Sequence, residues 1–201
     1  TVNGDLIIKV NSSSSNAYGI TVGNNDAKTA DCLVLSGKTE VTAAKALAGM
    51  GYLTVNNDLV LNGAVNEFLG RYEQTAGNVV LNTDTFFNGV TTSSEDHNGT
   101  FIKGGSFTAE KSFYDTSDKK ARVFKINNHA VVKLAGMHIG DFGQDLTYAK
   151  IYDGDVTLST LTIEEGGKLG FNKGTLCITG TANNKGSIST TAIDETSGQK
   201  P

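Results

Sequence analysis

Apolar residues in this chain come in short clusters, rich in β-branched or aromatic types and mostly bounded by Gly, Asn or Asp. They begin with Leu6-Ile7-Ile8, Ile20-Thr21-Val22, Leu33-Val34-Leu35, Leu53-Thr54-Val55, Leu59-Val60-Leu61 and Val79-Val80-Leu81. They continue through Phe101-Ile102, Val123-Phe124-Lys125-Ile126, Val131-Val132-Lys133-Leu134, Met137-His138-Ile139 and Ile151-Tyr152. The last are Val156-Thr157-Leu158, Leu161-Thr162-Ile163, Leu169-Gly170-Phe171 and Leu176-Cys177-Ile178. Clusters this short cannot supply the stripe of a long helix, and they read as many short strands in an all-β chain. The corners agree. Asn-Gly stands at 3–4, 62–63, 88–89 and 98–99, and Asn-Asn at 24–25, 56–57, 127–128 and 183–184; both residue types accept positive φ at low cost.

The clusters also recur on a longer period of roughly 20 to 26 residues, which is about one turn of a three-sided parallel β-solenoid. The clearest run is 154–190, GDVTLSTLTIEEGGKLGFNKGTLCITGTANNKGSIST. Strand alternation there points Val156, Leu158, Leu161, Ile163, Leu169, Phe171, Leu176 and Ile178 inward, with Thr, Ser, Lys and Glu outward. The expected fold is therefore a right-handed parallel β-solenoid forming one domain over 1–193, followed by a polar tail at 194–201. An antiparallel β-sandwich or jelly roll is the competing architecture, since it too has turn signals every 8 to 12 residues. The shortness of the clusters and the single Pro in 201 residues favour the solenoid.

Two segments depart from the pattern. Residues 39–50, TEVTAAKALAGM, read as one short helix with Thr39 as cap, Val41, Ala44, Leu47 and Ala48 as its stripe and Gly49 and Gly51 as its stop. Residues 1–38 read as an N-terminal cap or exchange-strand section. Its strand Leu6 to Val10 precedes the tetraserine Ser12 to Ser15 and is expected to pair within its own chain.

Composition excludes several functions. A net charge of −4 and a pI near 5.3 leave no concentrated basic face for nucleic acid. No apolar run approaches the roughly 20 residues that span a bilayer, and TVNGDLIIKV lacks the basic start of a signal peptide. Cys32 and Cys177 each sit in an apolar run without a Cys or His at metal-ligand spacing. They are expected as two separately buried thiols, with a Cys32–Cys177 disulfide as the alternative.

The texture of LTVNNDLVLNG, LTI, GGKL and TLCITG across most of 51–190 resembles the passenger regions of bacterial autotransporter adhesins and, more broadly, the pectate-lyase-like right-handed β-helices. That resemblance implies a rigid extracellular rod that presents surfaces and often has no active site. The enzymatic members of the β-helix class need clustered carboxylates. Asp84, in an NTD triplet, matches one box of the polygalacturonase-like enzymes, but their GHG and RIK motifs are missing and Asp141 stands in GDFG rather than GDD. Asp141, Asp145, Asp153 and Asp155 form the densest acidic stretch. Within it, Asp153-Gly154-Asp155 is the one candidate calcium turn, although a solvated turn explains it better. His97, His129 and His138 are too scattered for a metal site.

No catalytic residue and no cofactor is assigned from the sequence. The expected role is an extracellular or cell-surface structural or adhesive module whose partners are a host or bacterial surface glycan or protein, or other copies of itself. The alternatives are a filament subunit joined through sheet edges and a polysaccharide hydrolase or lyase. Tyr18, Tyr52, Tyr72, Tyr114, Tyr148 and Tyr152 are the aromatics expected to be available to a partner.

Overall fold

A computed structural model of the chain describes residues 1–23, 31–82, 99–116, 123–140 and 148–190. Among the described residues there are strands and no helix. In chain order they are β1 (Leu6–Lys9), β2 (Tyr18–Val22), β3 (Cys32–Leu35), β4 (Thr39–Gly49), β5 (Tyr52–Val55), β6 (Leu59–Phe68), β7 (Arg71–Gln74), β8 (Asn78–Asn82) and β9 (Gly99–Ile102). The rest are β10 (Ser106–Asp115), β11 (Val123–Ile126), β12 (Ala130–Ile139), β13 (Tyr148–Ile151), β14 (Gly154–Ile163), β15 (Lys168–Phe171), β16 (Gly174–Asn184) and β17 (Ser187–Ser189).

The odd-numbered strands from β3 to β17 stack in one sheet in sequence order. The path β1-β4-β6-β8-β10-β12-β14-β16 forms the other sheet, with β2 also paired to β4. Every pairing among the described residues is parallel, so the chain coils as a β-solenoid of about six turns, and the antiparallel sandwich is excluded. With adjacent strands about 4.8 Å apart, six turns rise about 29 Å.

Side chains stack in columns because each turn repeats the register of the one before. Leu59 lies on Val79, Phe107 on Val132, and Val132 on Val156; all five are buried. The long strands change inward parity halfway along. In β12, Ala130, Val132 and Leu134 are buried, and then Met137 and Ile139. In β14 the buried set is Val156 and Leu158, then Leu161 and Ile163. A step of three residues within a two-residue alternation reverses the face, so the backbone turns a corner there and the strand covers two sides of the core. Together with the sheet of short strands this makes the expected three sides. Register irregularities fall at the same place, between Ala109 and Phe113 and between Leu158 and Thr160.

Residues 39–50 correct the sequence reading: Thr39–Gly49 is strand β4, not a helix. Thr39, Val41 and Ala43 face inward, with Glu40 and Thr42 outward between them. Gly19 of β2 packs closely on this strand, since a side chain there would meet Val41 Cγ1 and the carbonyl of Ala46. Helix propensity separates residues by up to about 0.7 kcal/mol each. Strand β4 bonds along both edges, to β1 and β2 on one side and β6 on the other, and each such bond contributes on the order of 1 kcal/mol.

The two kinds of connection differ in regularity. From short strand to long strand, three residues intervene between Leu35 and Thr39, Val55 and Leu59, Gln74 and Asn78, Ile102 and Ser106, and Ile126 and Ala130. Two intervene between Ile151 and Gly154 and between Phe171 and Gly174. From long strand to short strand, two residues join Gly49 to Tyr52 and Phe68 to Arg71, but four join Ile163 to Lys168.

The constant corner carries a column of small or turn-forming residues, namely Gly4, Gly37, Asn57, Gly77, Gly105, Ala130, Gly154 and Gly174, as the pairing registers require. Successive turns nearly touch there. A methyl group on Gly77, whose φ is +80°, would strike the backbone of Asn57, and one on Gly174 would strike the backbone of Gly154.

Gly77→Val is therefore expected to destabilise the fold by about 2 to 4 kcal/mol, through backbone strain and overpacking together. Denaturant unfolding measures this, and a midpoint equal to that of the parent chain would contradict the stacked corner.

Candidate functional site

With the core closed by stacked columns, whatever the molecule recognises must meet its outward side chains. On the sheet of long strands these form hydrogen-bonded ladders about one turn apart. Asn62 donates to Thr42 Oγ1 at 3.3 Å and to Glu40 Oε1 at 3.5 Å, and Asn82 donates to Asn62 Oδ1 at 2.9 Å. At the adjacent corner, the Asn78 backbone N–H and side-chain amide donate to Asp58 Oδ1 at 2.9 and 3.3 Å, and Ser106 Oγ donates to Asn78 Oδ1 at 2.8 Å. Asp58 also meets Lys38 Nζ at 3.7 Å. A third ladder runs from Asn56 Nδ2 to Ser36 Oγ at 3.4 Å and from Thr75 Oγ1 to Asn56 Oδ1 at 2.7 Å. The sequence signal for these ladders is the twenty-residue interval between Asn62 and Asn82 and between Asp58 and Asn78, which counting triplets alone passes over.

The sheet of short strands carries a charged cluster. Arg71 donates to Glu73 Oε2 at 2.8 Å, and Lys103 Nζ stands 2.9 Å from Glu73 Oε1. The Arg71 guanidinium lies 4.2 Å from the centre of the Phe101 ring, with Lys125 Nζ at 5.9 Å from the same ring. Burial by itself raises the Glu73 pKa, but the hydrogen bonds and charges of Arg71 and Lys103 outweigh it and hold the carboxyl below its ordinary 4.5.

A second polar column follows the far corner of the long strands. His138 Nδ1 is 3.3 Å from Asp115 Oδ1 and its Nε2 is 3.5 Å from Glu164 Oε1, while Lys185 Nζ is 3.1 Å from Glu164 Oε2. The hydrogen bond and charge of Lys185 hold the Glu164 carboxyl below the usual range. Beside them the buried Thr116 accepts from the Gly140 N–H at 2.8 Å and donates to the His138 carbonyl at 3.3 Å. The two carboxylates face opposite nitrogens of one ring, an arrangement that binds the imidazole and does not converge on a common point.

The acidic residues singled out from the sequence divide. Asp84, Asp141 and Asp145 lie outside the described residues, as does His97. Asp153 stands 3.0 Å from His129 Nδ1 and 3.8 Å from Lys173 Nζ. Asp155 is exposed on β14, between Val131 and Thr175 of the neighbouring strands. His129 is itself part of a left-handed corner, with φ of +53° at Asn128 and +56° at His129. Among the described residues no three His, Cys, Asp or Glu side chains converge as a metal site would require.

Two expectations about other side chains are corrected. Cys32 and Cys177 are exposed and form no disulfide; they occupy terminal strands, β3 and β16, at opposite ends of the coil. Their apolar runs are real strands, but the alternation turns both cysteines outward. Tyr72 and Tyr114 are fully buried rather than available to a partner, and Tyr152 is buried at the edge of the core. Tyr72 packs edge-on against Phe107 at 5.9 Å, and its hydroxyl donates to Gln74 Oε1 at 3.4 Å. Burial raises its pKa well above 10.0, so the phenol keeps the proton it donates. Tyr18 is exposed beside Lys45, whose Nζ lies 5.1 Å from the ring centre, and Tyr52 is half-buried. The Tyr148 side chain lies outside the described residues.

Comparison with family models, with curated proteins and with solved structures gives no match.

Because Glu73 is held below its unfolded pKa, its pairing contributes stability above about pH 4.5 and loses it as pH falls through the lower folded value. Glu73→Gln is expected to cost about 1 kcal/mol at pH 7, a figure kept small for a partly exposed pair, and to flatten the loss of stability below pH 4.5. Unfolding curves at pH 7 and pH 3.5 test the sign; an equal penalty at both would contradict it.

Proposed function

We propose that this chain is a stiff structural module of an extracellular bacterial surface protein, and that its outward polar ladders present a binding surface to a surface glycan or protein. The observation that carries this reading is the set of hydrogen-bonded ladders through Thr42, Asn62 and Asn82 and through Asp58, Asn78 and Ser106. Amides and hydroxyls held at a fixed spacing by backbone stacking offer donors and acceptors in rows, with little ordering entropy left to lose on binding. Hydroxyl-rich sugars and polar peptide surfaces are the chemistry that such rows match. The likeness of the sequence texture to autotransporter adhesin passengers supports the same placement outside the cell.

The test is binding of the purified chain to a panel of bacterial and host surface glycans and to intact cells. Asn62→Ala with Asn82→Ala is expected to lower affinity for the best ligand by about tenfold, corresponding to roughly 1.4 kcal/mol, while the thermal midpoint moves only a few degrees. Unchanged binding by the double variant would move recognition off this face. Release of reducing sugars from any of the polysaccharides would overturn the structural reading in favour of an enzyme.

A further inference from the structure

We propose that the two ends of the solenoid are complementary and that a second copy of this chain stacks on the first in register, β1 and β2 of one on β16 of the other. This goes beyond the presentation reading and does not depend on it.

The pairing order of the long sheet starts at β1 and stops at β16, and among the described residues neither strand pairs on its outer edge. Open edges are normally guarded by Lys, Pro, bulges or a covering element. Strand β16 runs for eleven residues, GTLCITGTANN, without a charge or a proline, and its register irregularity against β14 lies beyond Ile178, past the Gly174–Ile178 stretch whose register leads to Gly4–Ile8.

Both ends show columns cut off partway. Leu6 and Leu176 terminate one inward column, and Ile8 and Ile178 terminate the next, as the registers from β1 to β16 require. All four are only half-buried, although the column members beside them, Thr39, Val41, Val156 and Leu158, are buried. The outward column between them ends at Ile7, 68% exposed, and at the exposed Cys177.

The constant corner points the same way. Gly174 lies against Gly154, Gly105 against Gly77, and Gly37 against Gly4, so each glycine has the turn beneath it as the reason for its missing side chain. Gly4 begins that column, yet a methyl group on it would find nothing within 4 Å. A turn seated below, with Gly174 of another copy as its corner, gives Gly4 the neighbour that the other glycines have.

Charge fits as well. Asp5 follows Gly4 at one end, and Lys173, 67% exposed, precedes Gly174 at the other. In-register stacking places them on the same face, two positions apart diagonally, within reach of a lysine side chain. The contact joins unlike ends, so each added copy leaves the same edge open again, and association propagates as a filament rather than closing on a dimer.

The test uses the full chain with Cys32→Ser and Ile7→Cys, leaving Cys177 in place. Residues paired across adjacent strands have Cα atoms about 4.8 Å apart, inside the range a disulfide spans. Mild oxidation is expected to give a ladder of cross-linked multimers, with a yield about tenfold above that of Lys9→Cys in the same background, which stands two positions out of register. Equal yields from the two variants, or monomer alone at high concentration, overturn the proposal, whatever then covers the edge. Gly4→Val provides the second arm. Its side chain has open space within one chain, so the unfolding midpoint of the dilute monomer should match the parent, while sedimentation velocity should show assembly lost. A lowered midpoint, or assembly that persists, counts against the stacked ends.

Discussion

Adjacent turns of this molecule share one set of backbone hydrogen bonds, and nearly everything else about it follows from keeping that register. A parallel strand pair satisfies its amides only if its neighbours keep step, so whatever occupies a column in one turn must tolerate what occupies it in the next. The apolar columns through Leu59, Val79, Phe107, Val132 and Val156 meet this condition with residues of different sizes but the same character. The corner column meets it largely with glycine, where a side chain would strike the turn beneath. Outside, the same constraint sets an amide over a hydroxyl and a carboxylate beside an amide, which is how isolated Asn and Thr residues become ladders.

The core is not wholly apolar, and its polar members show how strictly the register rules. Gln74 lies in an inward column and is fully buried, with its amide donating to the Gly77 carbonyl at 3.2 Å and the Ser106 carbonyl at 3.0 Å. Those carbonyls lie at the constant corner of one turn and at the start of β10 in the next, so one side chain ties the stack together from within. Together with Tyr72 it makes a satisfied polar pair in a place where unpaired groups would each cost about 1 to 3 kcal/mol.

The fold was legible because strand alternation and corner chemistry are both local, written in triplets and in Asn-Gly pairs. Residues 39–50 misled for the same reason. Val41, Leu47 and Ala48 are buried in the strand as they would be on the stripe of a helix, and only the neighbouring turns decide between the two. Cys177 and Tyr72 failed in opposite directions. Cys177 sits in a strand whose existence was plain, whereas Tyr72 sits in β7, RYEQ, which no apolar cluster announces; which face each takes depends on parity, and one residue of register reverses it. The recognition surface was less legible still. Its members are ordinary polar residues until the coil sets Asn62 beside Asn82, and nothing short of the repeat length announces that they are neighbours.

The unequal connections have a consequence for how a chain of this kind changes over time. One corner admits two or three residues and no more, because the next turn rests on it. The other joins strands across two residues after β6 and four after β14 without disturbing the pairing of the short strands that follow. Length can thus vary at one seam while the opposite seam holds the pitch, much as a book gains pages at its open side and not at its spine. Insertions that add new chemistry will collect along a single line of the rod, and the stack beneath them need not be redesigned.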